Sequence, residues 1–104
     1  MHVTIRKYEG VDQARTDELT KKVGESLAPK LSKLPGFSSY FLIDTGNGVM
    51  SSIGLFETST QADESTRVAS EWVRDEKLEN ILQNPPKVTD GEVIVHKTMN
   101  GIKA

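Results

Sequence analysis

A chain of 104 residues, 36% apolar and 27% charged, has the make-up of one globular domain over residues 1–104 and little room for a second. A formal charge of −2 argues against the concentrated basic surface that nucleic-acid binding requires, though not against a local patch, and no nucleic-acid partner is expected. The absence of cysteine excludes disulfides, thiolate metal sites, iron–sulfur clusters and cysteine nucleophiles.

Residues 2–8, HVTIRKY, alternate: Val3 and Ile5 point one way, Thr4, Arg6 and Tyr8 the other, which predicts a half-buried strand. The stretch MHVTIRKYEG has no apolar run of the kind a secretory leader carries. Later apolar runs are far too short for a bilayer span. The expected location is therefore the cytoplasm, with no membrane partner. Glu9 to Asp12 supplies a turn, with Asp12 as helix cap.

From about 13 to 34 the pattern is helical. Leu19, Val23, Leu27 and Leu31 recur every four residues and draw one apolar stripe, with Leu34 following. Pro29 lies in that stripe and predicts a kink or break over about 25–29, because it lacks a donor and crowds the preceding turn. Pro35-Gly36 ends the helix.

Phe37 to Asp44 and Val49 to Glu57 read as two strands of a hairpin closed by Thr45-Gly46-Asn47-Gly48, residues that tolerate positive φ. A second helix opens at Thr58–Thr60, where either Thr58 with Gln61 or Thr60 with Asp63 can form a capping box. Ala62, Ala69, Trp72 and Val73 share one face. Leu78, Ile81 and Leu82 fall about half a turn away, so the helix must break near Arg74–Lys77, with a short helix over about 76–83. Asn84-Pro85-Pro86 stops it. Residues 92–98, EVIVHKT, alternate as a last strand.

The order strand, helix, strand, strand, helix, strand is the split βαβ arrangement. The expected fold class is α+β, ferredoxin-like, βαββαβ with a four-stranded antiparallel sheet. Sorting strands by parity gives unlike faces. Val3, Ile5, Phe37, Phe41, Ile43, Ile53, Leu55, Val93 and Val95 form an apolar face, expected to meet the helices. Thr4, Arg6, Tyr8, Tyr40, Leu42, Met50, Ser52, Phe56, Ile94 and His96 form a mixed face, expected to be covered by a second copy. A bulge would shift parity within a strand.

The element order, Pro35-Gly36-Phe37 before the hairpin and Phe56-Glu57 closing the third strand resemble the dimeric α+β barrel superfamily, in particular its antibiotic biosynthesis monooxygenase-like branch, over about residues 2–98. The resemblance implies a homodimer whose sheets face each other as a barrel. It also implies a small-molecule site and, in some members, oxidation of aromatic polyketides without metal or flavin. The haem-degrading members combine a first-strand Asn with a helix Trp and a later His. Here the first strand has no Asn and only Trp72 matches, so haem degradation is not expected. No cofactor is expected.

Two readings remain for the candidate residues. In one, His96 acts as acid/base and Arg6 as anion clamp on neighbouring strands of the mixed face. Trp72, Tyr8, Tyr40 and Ser52 then line a pocket for a small aromatic ligand, and the protein is a cofactor-free oxygenase-like enzyme. In the other, His96 and Arg6 brace the dimer, Trp72 is core packing, and the protein is a non-catalytic binding or structural dimer. No metal site is expected, because His2 and His96 lack ligand spacing.

Overall fold

The computed structural model describes residues 1–98. Its elements are β1 (His2–Tyr8), α1 (Thr16–Lys22), α2 (Ala28–Ser32), β2 (Phe37–Gly46), β3 (Val49–Phe56), α3 (Ser59–Asp75) and β4 (Lys87–Glu92). Short 3-10 turns occupy Gln13–Arg15 and Leu78–Asn80. The strands form one four-stranded sheet in the order β2-β3-β1-β4, every neighbouring pair antiparallel, with the helices on one side. This is the ferredoxin-like α+β fold that the element order predicts.

Local chemistry explains the boundaries. Asp12 accepts a hydrogen bond from the Ala14 amide (3.1 Å) and starts the helical stretch. The two hairpin residues Asn47 and Gly48 have φ of 58° and 76°, as a tight turn matched to strand twist demands. Thr58, not Thr60, makes the capping box: its hydroxyl accepts from the Gln61 amide (3.2 Å), and the Gln61 side chain accepts from the Thr58 amide (3.1 Å). The break after α3 falls at Lys77, whose φ is 56°. Beyond it the expected short helix is reduced to the Leu78–Asn80 turn.

The kink or break expected over about 25–29 takes the form of an irregular turn just before Pro29, not an interruption of the helix. A π-helical turn, Val23–Leu27, joins α1 to α2 and re-routes the Ala28 amide to the Val23 carbonyl. This shift of the ladder places Pro29 in the first turn of α2, where no donor is needed. The stripe therefore stays continuous, and Leu19, Val23, Leu27 and Leu31 are all buried against Tyr8, Met50, Ala69 and Trp72. A buried Leu or Val contributes about 1.5–3 kcal/mol each.

Two expectations are corrected. The last strand is Lys87–Glu92, not 92–98. Directly after Pro85-Pro86 the chain meets the free edge of β1, and Glu92 already lies opposite His2, the first residue of β1. Past that point the Val93 amide donates to the Met1 carbonyl (2.9 Å), and Ile94 and Val95 are exposed.

The faces are also exchanged. The helices cover the mixed face: Thr4, Arg6, Ser52 and Phe56 are at most 3% exposed. The apolar face is the open one, with Ile5, Ile53 and Phe41 side by side and Phe41 52% exposed. Side-chain alternation in β1, in β3 and from Tyr40 to Ile43 of β2 is as the sequence predicts, whereas the alternation expected over 92–98 falls outside the strand. The side on which the helices lie is set by the handedness of the crossover from β1 to β2, which runs parallel to it on the far side of β3, and strand alternation does not encode that. Phe37 is the exception in parity. A register shift between Phe37 and Ser39 turns it to the helix side, edge-on to Phe56 at 5.7 Å.

Candidate functional site

Arg6 sits at the centre of the helix-covered face. On β1 it shares a side with Thr4 and Tyr8, as residues two apart must. Ser52 lies directly opposite it on β3, and Leu42 opposite Ser52 on β2. The Arg6 guanidinium donates to Ser52 Oγ (Nη2, 2.8 Å) and to Thr66 Oγ1 on α3 (Nη1, 3.3 Å). Ser52 Oγ in turn donates to Tyr40 Oη (3.0 Å), and Thr66 is also paired with Thr4 (3.2 Å).

The unusual feature is charge. Arg6 is 1% exposed, yet among the described residues no carboxylate lies within ion-pair distance of it, and its buried Nε has no hydrogen-bond partner. Taking a guanidinium from water into a protein interior costs several kcal/mol, and neutral hydroxyls offset only part of it. Tyr8 adjoins Arg6. Burial pushes the Tyr8 phenol pKa up, and the neighbouring Arg6 charge opposes that shift.

Arg6, Tyr8, Tyr40, Ser52 and Trp72 line a single cavity between the sheet and the helices, closed by Leu19, Val23 and other stripe residues. The Trp72 indole N–H is anchored on Ser26 Oγ (2.9 Å), which fixes the ring against the cavity. The space open to the centre of a water molecule there is about 20 Å³, enough for one water. A larger cavity of about 300 Å³ adjoins it and shares Tyr8, Val73 and Leu82, but Trp72 does not line it.

His96 is not part of this cluster. It lies beyond the end of β4, exposed, whereas the residue opposite Arg6 on β4 is Val88. The expected His96–Arg6 pairing on neighbouring strands is corrected accordingly. Thr66 was missed by sequence reasoning. Its signal is a polar residue beside the buried stripe of Ala62, Ala69 and Trp72, where a hydroxyl needs a partner across the interior. Among the described residues no group of three or more His, Asp or Glu could hold a metal, and no helix is long and apolar enough to cross a membrane.

No family model matches the chain, and no curated protein matches it in sequence. Solved structures do. A proposed antibiotic biosynthesis monooxygenase from Nitrosomonas europaea superposes with a TM-score of 0.71 at 15% identity, covering 91% of this chain and 100% of that one. A monooxygenase from the gene ActVA-Orf6 of Streptomyces coelicolor, in complex with the ligand Nanaomycin D, gives 0.67 at 16%, covering 93% and 92%. A heme-degrader from Mycobacterium tuberculosis, with two hemes bound in its active site, gives 0.70 at 17%, covering 94% and 100%. The chain thus shares the ferredoxin-like α+β fold of these structures. At these identities the likeness defines the fold alone.

Proposed function

We propose that this protein binds a small, oxygenated aromatic molecule of polyketide type between its sheet and helices and acts as a cofactor-free oxygenase in the cytoplasm. The observation that carries the reading is the buried Arg6 with no carboxylate partner and a free Nε. A phenol or enol that ionises at this site gains the guanidinium as counter-ion, and its anion is the electron-rich form that reacts with dioxygen. In the simplest balanced step, a ring CH₂ becomes C=O. One oxygen atom of O₂ enters the ring, and the other leaves as water with the two hydrogens. The ligand named for the Streptomyces structure supports the small-molecule part of this reading.

The reading includes a homodimer built on the open sheet face. Val3, Ile5, Phe41, Ile43, Ile53 and Leu55 form an apolar surface there, and a second copy presenting the same face would cover it.

The test uses dithranol, an acidic hydroxyanthrone, and an oxygen electrode. Oxygen uptake above the spontaneous rate, lost in Arg6→Met, is the expected result. Binding without uptake would favour the second reading, a non-catalytic binding dimer. The small interior volume beside Trp72 supports that reading.

A further inference from the structure

The interior cavity beside Arg6 holds about 20 Å³, too little for a ring system, whereas the adjoining cavity of about 300 Å³ is of ligand size. The same side chains, Tyr8, Val73 and Leu82, line both. They are the partition between the two spaces. The outer space is a built feature of the fold. The segment that runs from Leu82 into the far wall, Gln83 to Pro86, is tied to the turn after β1 by the bridge between Val11 and Leu82, by the Asp12 amide on the Ile81 carbonyl (3.0 Å), and by Asn84 Nδ2 on the Glu9 carbonyl (3.0 Å). The last contact needs Gly10, where an added Cβ would stand 2.5 Å from Asn84 Nδ2.

We propose that the outer cavity is the body-binding half of a two-part ligand site, and that the site selects planar monoanions. This rests on the reading of Arg6 given above. A bicyclic or tricyclic aromatic body lies against Val73, Leu82, Pro85 and Pro86. Its single acidic oxygen passes Tyr8 to reach Arg6. The rim carries Ser70, Gln83 and the Glu79 carboxylate, which makes no ion pair among the described residues. Glu79 disfavours a second anionic group at the outer end, so molecules with acids at both ends are rejected and hydroxyl or amide ends are accepted.

Calorimetric titration of the intact protein with 2-naphthoate, 2-naphthamide and 2,6-naphthalenedicarboxylate tests this, with amide chemical shifts locating each ligand. Naphthoate should bind roughly tenfold tighter than naphthamide, the scale of one charge-assisted hydrogen bond. The dicarboxylate should bind more weakly than naphthoate, and Glu79→Gln should recover its affinity severalfold. Val73→Trp should abolish binding of all of them, and Ser70→Trp, which fills the space from the rim, should do the same if Val73→Trp does not fold. Shifts at Arg6, Ser52 and Tyr40 without any at Val73 and Gln83 would overturn the outer half while leaving the Arg6 reading intact. Shifts at Val73 and Gln83 with equal affinity for naphthoate and naphthamide would overturn the selection of anions and the Arg6 reading together.

Discussion

Arg6 and Ser52 face each other across the β1–β3 ladder and share a 2.8 Å hydrogen bond, so the one arginine sealed inside this fold is held by a neutral hydroxyl. Such a site is expected to be less stable than an apolar one of the same shape. Arg6→Met should therefore raise the denaturant midpoint or leave it unchanged, because it removes a buried charge whose desolvation costs several kcal/mol and which only neutral hydroxyls offset. Ser52→Ala should do the opposite, costing about 1–3 kcal/mol, because it takes a partner from a charge that stays buried. Equilibrium urea unfolding of both variants measures the pair. Equal destabilisation by both would show that Arg6 is structural mortar.

The open face predicts the oligomeric state. Sedimentation equilibrium should give twice the chain mass. Phe41→Asp places a charge at a position 52% exposed in the single chain, so it should yield a folded monomer with stability altered by no more than about 0.5 kcal/mol. A dimer that survives Phe41→Asp and Ile53→Asp would place the interface elsewhere.

Tyr8 predicts an alkaline limit. Its phenol pKa is raised above 10.0, chiefly by burial. The unfolded chain therefore loses that proton at lower pH than the folded one. The stability Tyr8 contributes is fully present below pH 10.0 and is lost as pH rises through the folded value. The urea midpoint should fall above pH 10 with a slope that Tyr8→Phe reduces.

The capping box of Thr58 and Gln61 fixes the start of α3, and with it the placement of Thr66 and Trp72. Thr58→Ala should cost about 1 kcal/mol without altering ligand affinity, since the cap lies outside the cavity. Loss of binding in a folded Thr58→Ala protein would show that α3 shifts along the sheet.

His96→Gln should change neither the melting temperature of the fold nor ligand affinity, because His96 lies exposed beyond β4. A measurable loss in either would mean that the segment after Glu92 docks in the assembled protein.

Much of this molecule is written in short-range pattern. The four-residue spacing of Leu19, Val23, Leu27 and Leu31 set a buried stripe, Asn47-Gly48 set the hairpin, and the mismatch between Trp72 and Leu78 set the break at Lys77. Parity placed Arg6, Tyr8, Tyr40 and Ser52 on one side of the sheet, so the polar lining of the interior cavity is legible in the sequence. Three things were not. The helices chose the mixed face because crossover handedness is a property of connected strands, not of any one strand's alternation. The last strand stopped at Glu92 because the length of β1 limits what can pair with it, however well Val93 to Thr98 alternate. His96 was carried away from Arg6 by that same limit, while Thr66 was brought to it from sixty residues along the chain by the packing of α3 on β1. Alternation and periodicity report which side a residue faces; what it faces is decided only when the elements close on one another.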